Sequence, residues 1–594
     1  MNATSPRPFP LTVFAASFTL GVLLFSASLR AQAVDDPRGR YEFSSTDEDG
    51  RPFSGTLHIT ESDGVLGGRV ITTLRPPFPM ETVEVEGNVI AVTARTSGAD
   101  WTLRLRLTMD GEDFTGEWTL RDQEGALEGT KFLTDEDDNL RPVDCRASGV
   151  DALAKCATYH VWEDREAETG RKIPLNIVIL PARSSEGAPD PLFAFAGGPG
   201  QASTDGAGGN AQRYEQVLEH RDVVMVDQRG TGGSNGLACG FSSTQKLALV
   251  LLAWDVPMDE LAACRQELSK RADLSLYHTS IAVDDINEVR EWLGYDRINL
   301  YGGSYGTRAA LEYLRRHSET VRTMTIRGVM PTTGVFPLNN PADAQVSLEQ
   351  VFADCESDPK CEAAFPEIRS QFAAVLSRLE MSPGSIRVFD RVTQDSVEIP
   401  ITRDVFAGSM RRLLMDSGLQ SEIPSIIDRA ADGDLRSLSA GVGATVTVAH
   451  GLYLGMGFSV LCSEEYRRIA AVDIEEETAG TFLGAAPPQA IVDICSEWPQ
   501  GSIPNNFHQP VSSDVPTLVL SGALDPTTPA RWGAEAADHL SNSVHLVQPG
   551  ISHSPFSPCA LGIMVEMIES GSVEALDTSC VEGLERPAFD LGGM

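Results

Sequence analysis

The sequence predicts an α/β chain: a mostly parallel sheet covered by helices, preceded by a small antiparallel all-β unit and interrupted by a helical insertion. Three observations predict it. After Cys145, strand-like runs alternate with helical stretches, the pattern of a parallel sheet with helices on its faces. Before that, over residues 39–132, apolar and polar residues alternate with period two, as half-buried antiparallel strands require. The interval between the strand-like runs 324–327 and 517–520 is many times the ~30 residues that one strand–helix–strand step needs.

The elements follow in chain order. Residues 1–33 read as an export signal: Arg7, an uncharged run over 8–29, and the small-residue cleavage site Ala31-Gln32-Ala33. The uncharged run is long enough to span a bilayer, which leaves an uncleaved anchor as the alternative. With the signal cleaved, the chain is expected to be periplasmic or secreted, without stable membrane insertion. Residues 36–134 form the β-rich accessory domain, a barrel or sandwich, with turns at Asp49-Gly50, Asp63-Gly64 and Asp110-Gly111. An acidic linker, 134–138, leads to the first part of the α/β core, 140–335. Its strands are read at 175–180, 192–196, 223–226, 298–300 and 324–327, with a helix over 282–293. Residues 336–505 are the insertion, read as a helical cap from stretches such as 346–352, 367–379 and 403–414. Residues 506–594 return to the core.

Composition narrows the partners. At 594 residues, two or three domains are expected. A formal charge of -37 argues against nucleic acid and anionic membrane surfaces. Ten cysteines suit an oxidising compartment. They lie as neighbours in sequence: Cys145 and Cys156, Cys239 and Cys264, Cys355 and Cys361, Cys462 and Cys495, Cys559 and Cys580. Spacing alone leaves the connectivity open, but neighbour pairing closes the shortest loops. No C-x-x-C spacing points to a metal, and no G-x-x-x-x-G-K-[ST] to a bound phosphate. No cofactor or metal is expected.

The chemistry centres on Gly302-Gly303-Ser304-Tyr305-Gly306, between a strand-like run and a helical one. A serine on such a turn is strained and exposed, and thereby a candidate nucleophile. Its orienting acid is expected after a later core strand, where Asp525 stands. Of the histidines beyond it, His539 lies in a helical stretch and His545 in a strand-like run. Only His553 falls in a loop after the last strand. The order Ser304, Asp525, His553 is that of the α/β-hydrolase arrangement, so the fold class is an α/β-hydrolase core with an inserted cap and a leading β domain. Backbone donors for a developing oxyanion are expected from Tyr305 and from Gly198, in the glycine-rich loop Gly197-Gly198-Pro199-Gly200.

These motifs, with Asp227-Gln228-Arg229-Gly230-Thr231-Gly232-Gly233-Ser234, resemble the proline iminopeptidase and tripeptidyl aminopeptidase family of serine peptidases. The part bearing Asp525, His553, Cys559 and Cys580 looks like that of the tripeptidyl aminopeptidases. The resemblance covers Cys145 to the C-terminus, with Ala196 where the family often has histidine. It implies hydrolysis of peptide bonds near a free N-terminus through an acyl-enzyme on Ser304, with peptides as substrates. Family members that bind an N-terminus resemble Cys462-Ser463-Glu464-Glu465, which makes Glu464 the candidate for the substrate ammonium. Asp227 and Arg229 are expected to form a buried ion pair bracing the nucleophile turn. The competing readings are a carboxylic ester hydrolase using the same three side chains, and a non-catalytic peptide-binding protein on the same fold.

Overall fold

The computed structural model describes residues 34–592 apart from 35, 63, 96–100, 133–137 and 555. The expected export signal and nearly all of the acidic linker lie outside the described residues.

Eight strands close a barrel: β1 (Gly39–Thr46), β2 (Pro52–Ser62), β3 (Val65–Thr72), β4 (Phe78–Glu86), β5 (Val89–Arg95), β6 (Thr102–Asp110), β7 (Asp113–Leu120) and β8 (Gln123–Phe132). Closure comes from β1 pairing with β8, Arg40 opposite Phe132, which leaves no free sheet edge. The alternation seen in the sequence is the inside–outside alternation of this barrel. In β6, Leu103, Leu105, Leu107 and Met109 point inward, with Arg104 and Arg106 exposed between them. Inside they meet Tyr41, Leu57, Ile59, Phe78, Phe114 and Trp118.

The second sheet has nine strands. In chain order they are β9 (Leu140–Cys145), β10 (Ala154–Trp162), β11 (Lys172–Leu180), β12 (Leu192–Phe195), β13 (Val223–Val226), β14 (Ile298–Gly303) and β15 (Val321–Arg327). Beyond a separate hairpin, β16 (Gly384–Phe389) and β17 (Ser396–Ile401), come β18 (Thr517–Gly522) and β19 (Ser543–Gln548). The spatial order is β19-β18-β15-β14-β12-β13-β11-β10-β9. From β13 to β19 every pairing is parallel, and the β9–β11 side is antiparallel. β12, β13, β14 and β18 are buried throughout, as a sheet covered on both faces demands.

The insertion, read from the sequence as a helical cap, also holds two strands. The hairpin β16–β17 sits within it, its Ile386, Val388, Ile399 and Ile401 packed in the same apolar cluster as helix Arg403–Leu414. Helix Thr244–Ala253, from the first part of the core, adds Ala248 and Leu252 to that cluster, whereas helix Leu454–Glu464 packs with the main sheet. All ten cysteines pair as sequence neighbours, in five disulfides.

The barrel docks on the core through Arg69, which donates to Asn176 Oδ1 on β11. Asn176 Nδ2 in turn donates to Asp227 Oδ2 at 2.7 Å and to Thr204 Oγ1 at 3.1 Å. Thr204 and Gly233 give their amides to the same carboxylate, at 2.9 and 3.0 Å.

Helix Arg403–Leu414 crosses helix Thr244–Ala253 at Gly408, where an added Cβ would stand 1.8 Å from the Leu252 carbonyl oxygen. Backbone cannot yield there as a side-chain tip would. Gly408→Ala is therefore expected to destabilise the chain by about 1–3 kcal/mol or more, read as a lowered midpoint in thermal or urea unfolding.

Candidate active site

Ser304 sits between the last residue of β14 and helix Tyr305–His317, with φ 56° and ψ -127°. Such a positive-φ conformation costs a non-glycine residue ~1–3 kcal/mol and persists only where its surroundings enforce it. The neighbours do so. Gly302 and Gly306 lie so close that a Cβ on Gly302 would stand 2.3 Å from the Gly306 carbonyl oxygen. The Ser304 amide donates to the Arg327 carbonyl at 3.0 Å, and Thr307 gives both its amide (2.9 Å) and its hydroxyl (2.6 Å) to the Ser304 carbonyl.

The parallel sheet order sets β14, β15, β18 and β19 side by side, so the loops at their C-terminal ends share one rim. Asp525 follows β18. Its Oδ1 accepts the amides of Thr527 (2.8 Å) and Thr528 (2.9 Å), and its Oδ2 accepts the Thr528 hydroxyl at 2.6 Å. His553 follows β19. Its Nδ1 lies 2.9 Å from Asp525 Oδ2 and its Nε2 lies 3.1 Å from Ser304 Oγ. The carboxylate facing Nδ1 fixes the proton there and leaves Nε2 as the acceptor for the serine hydroxyl. Burial pushes the Asp525 carboxyl up. The His553 imidazole and the Thr528 bonds outweigh it and hold the group below the ordinary carboxylate range. The arrangement can draw a proton from Ser304 and stabilise the imidazolium that results.

The structure thus brings together Ser304, Asp525 and His553, and sets the other histidines apart. His545 Nε2 faces Ser521 Oγ at 2.9 Å, and His539 closes helix Ala530–Asp538. In the glycine-rich loop, Gly197 lies against the serine: a Cβ on it would stand 3.4 Å from Ser304 Cβ. Gly198 follows with φ 113°, ahead of a cis Pro199. The loop is tied to the cap by the Tyr453 amide, which donates to the Gly200 carbonyl at 2.8 Å. The Tyr305 side chain turns away into the interior, its hydroxyl 2.7 Å from Thr279 Oγ1.

Two expectations are corrected. Asp227 and Arg229 do not pair with each other. Arg229 holds Asp285 through Nε (2.6 Å) and Nη2 (2.9 Å) and the Glu163 carbonyl through Nη1 (2.8 Å). It braces helix Thr279–Leu293, while Asp227 takes the amides of Thr204 and Gly233. The turn after β13 sends the two side chains to different partners, Arg229 to Asp285 and Asp227 to Asn176, Thr204 and Gly233. Glu464 is no solvent-facing carboxylate either: it is 2% exposed. Its Oε1 accepts the Thr279 amide at 2.9 Å and its Oε2 lies 3.5 Å from Arg308 Nη1. Arg308 also binds Glu465 and the carbonyls of Pro331 (3.0 Å) and Gly334 (2.9 Å). Burial pushes the Glu464 carboxyl up to about 7 against the pull of Arg308.

Thr528 is the site residue that sequence reading missed. Its hydroxyl donates to Asp525 and lies 3.0 Å from His553 Nδ1, so it fills the corner between acid and base. The signal was the run Asp525-Pro526-Thr527-Thr528, in which an aspartate collects amides two and three residues on. Among the described residues, no group of three or more metal-ligating side chains occurs.

Comparisons with known proteins agree with this geometry. A family profile described as alpha/beta hydrolase fold matches residues 191–361, and one described as TAP-like protein matches 482–580. Serine protease Hip1 of Mycobacterium tuberculosis is 24% identical over 461 residues, spanning 69% of this chain and 84% of that protein. Proline iminopeptidase of Neisseria gonorrhoeae is 29% identical over 145 residues, 24% of this chain and 34% of that protein. The solved proline iminopeptidase of Mycobacterium smegmatis aligns over 70% of this chain and 98% of its own at 13% identity, with a TM-score of 0.35. Fold and relatives define a serine hydrolase of the α/β-hydrolase class. Within that class, the chain is similar to serine protease Hip1 and, over a shorter stretch, to the proline iminopeptidases, with a C-terminal part like the TAP-like proteins.

Two outcomes follow from the site. Thr528→Ala removes a charged hydrogen bond worth about 1.5–3 kcal/mol, so kcat is expected to fall about tenfold or more, with Thr528→Ser keeping most of it. Steady-state kinetics on both variants reads this. Glu464 keeps its proton in the folded chain up to about pH 7, whereas the unfolded chain loses it near the ordinary glutamate value. Its contribution to stability therefore falls as pH rises through that window. Glu464→Gln removes the loss, so its melting temperature is expected to match wild type at pH 5 and to exceed it at pH 8.

Proposed function

We propose that this chain is an exported serine exopeptidase that hydrolyses peptide bonds near a free N-terminus through an acyl-enzyme on Ser304. The observation that carries it is the continuous line of hydrogen-bonding contacts from Asp525 through His553 to the Ser304 hydroxyl. Ser304 Oγ attacks the scissile carbonyl while His553 Nε2 takes its proton. The imidazolium, steadied by Asp525 and Thr528, passes that proton to the departing amine. The amides of Gly198 and Tyr305 are the donors to the oxyanion. Water, deprotonated by the same histidine, releases the acyl group. No step calls for a metal or an organic cofactor.

Two findings support the finer points. Relatives named proline iminopeptidase favour action at an amino terminus, and a cap over the rim restricts the site to chain ends. Five disulfides favour an oxidising compartment and hence export. Glu464, sealed against Arg308, is not assigned to the substrate ammonium in this reading.

A serine-directed fluorophosphonate is expected to label the wild type and not Ser304→Ala, whose kcat falls by about a thousandfold or more. Peptides with a free amine are expected to be cut at least about tenfold faster than their N-acetylated forms, since a site built for an ammonium is left unpaired by the blocked end. Equal rates on the two would overturn the exopeptidase reading and leave the serine nucleophile standing.

A further inference from the structure

Helix Arg403–Leu414 lies on the acid and histidine loops, and two adjacent arginines, Arg411 and Arg412, stand near its C-terminal end. The Leu414 carbonyl receives the hydroxyl of Ser552, the residue before His553. Arg411 Nη2 reaches Thr527 Oγ1 at 3.4 Å. Thr527 is the residue whose amide holds Asp525 Oδ1 at 2.8 Å. Arg411 is therefore a cap side chain at the edge of the candidate site.

Its charge is poorly matched. Among the described residues, no carboxylate forms an ion pair with Arg411 or Arg412, and Arg411 Nε is buried without a partner. Burial and the like charge of Arg412 lower the proton affinity of Arg411, with only Asp525 acting the other way. That carboxylate is already engaged by His553, Thr527 and Thr528. Arg229 and Arg308, by contrast, have carboxylate partners: Arg229 is held by Asp285 and backbone carbonyls, and Arg308, although its Nε also lacks a partner, by two glutamates and two carbonyls. A chain with 84 acidic residues against 47 basic ones has set none of them opposite Arg411. A partly desolvated guanidinium without an ionic partner is well suited to a carboxylate.

We infer that Arg411, in the field of Arg412, anchors a carboxylate of the substrate at the cap edge of the site. The chemistry is that of a free C-terminal carboxylate on a short peptide or of an acidic side chain near the scissile bond. The inference rests on the reading of Ser304 as the nucleophile and adds to it a preference for anionic substrates.

The test compares matched substrates on wild type, Arg411→Gln and Arg411→Lys, each first shown to be folded by its thermal melt. One pair is an N-terminally free tetrapeptide ending in carboxylate or in carboxamide. A second is a longer peptide amide carrying Glu or Gln at each position flanking the cleaved bond. A third is a p-nitrophenyl ester with a succinyl or a butyryl acyl group, which reads the subsite even if no peptide bond is cut. Wild type is expected to favour the anionic member of at least one pair by about tenfold or more in kcat/KM, chiefly through KM. The pair that shows it identifies the source of the carboxylate. Arg411→Gln is expected to bring that ratio to near one, and Arg411→Lys to keep part of it. A role confined to steadying the acid loop would lower both members of a pair alike and leave the ratio unmoved. Absence of preference in wild type, or an unchanged ratio in Arg411→Gln, overturns the subsite. Hydrolysis of the peptides without any such preference leaves the peptidase reading intact; cleavage of the esters alone removes that reading while the succinyl–butyryl ratio still decides the subsite.

Discussion

The positive-φ backbone at Ser304 is the constraint on which the site rests. A side chain there is disfavoured, and the chain tolerates it because Gly302 and Gly306 close the turn with no Cβ between them. The strand before and the helix after are both buried, so the turn has nowhere to relax. Hydrogen bonds from Ser304 to Arg327 and from Thr307 to Ser304 lock it further. With the hydroxyl fixed at the sheet's rim, neighbouring strands need only deliver an acid and a base within reach. The spatial order β14-β15-β18-β19 does that.

The cap does more than cover this rim. Ser347, on cap helix Asn340–Ser357, donates to the Leu524 carbonyl at 2.8 Å, next to Asp525. Ser417 accepts the Ser552 amide at 2.9 Å, next to His553. The loops that carry acid and base are thus held from above by the insertion and from below by the sheet. At the seam, Arg308 gathers Glu464, Glu465 and two carbonyls from the segment after β15. Removing Arg308, the one cation of the set, would leave the buried glutamates without compensation, which costs far more than the set contributes by being present.

Much of this was legible in the sequence because it is local. Period-two alternation over 39–132 gave the barrel strands, and the turn Gly302-Gly303-Ser304-Tyr305-Gly306 announced its own strain. Asp525 and His553 could be placed because each follows a core strand. What escaped reading depends on partners far along the chain. Glu464 was read as the candidate for the substrate ammonium, and nothing within its own segment says that Arg308, more than a hundred residues earlier, lies against it. Arg229 lies two residues from Asp227 yet pairs with Asp285. The hairpin β16–β17 was lost among stronger helical periodicity, although its residues alternate. Thr528 needed knowledge that the imidazole would lie over the same turn.

The barrel's attachment has a consequence for how this architecture can be recombined. Arg69 reaches Asn176, Asn176 reaches Asp227, and Asp227 organises Thr204 and Gly233, at the far end of the loop whose first glycine touches Ser304. The leading β unit is therefore no interchangeable bead on a string. A shuffled or proteolytically trimmed descendant lacking it would inherit an orphaned amide and a less firmly held carboxylate in the turn after β13. In a hydrolase without the barrel, Asn176 Oδ1 would need water or another donor in place of Arg69.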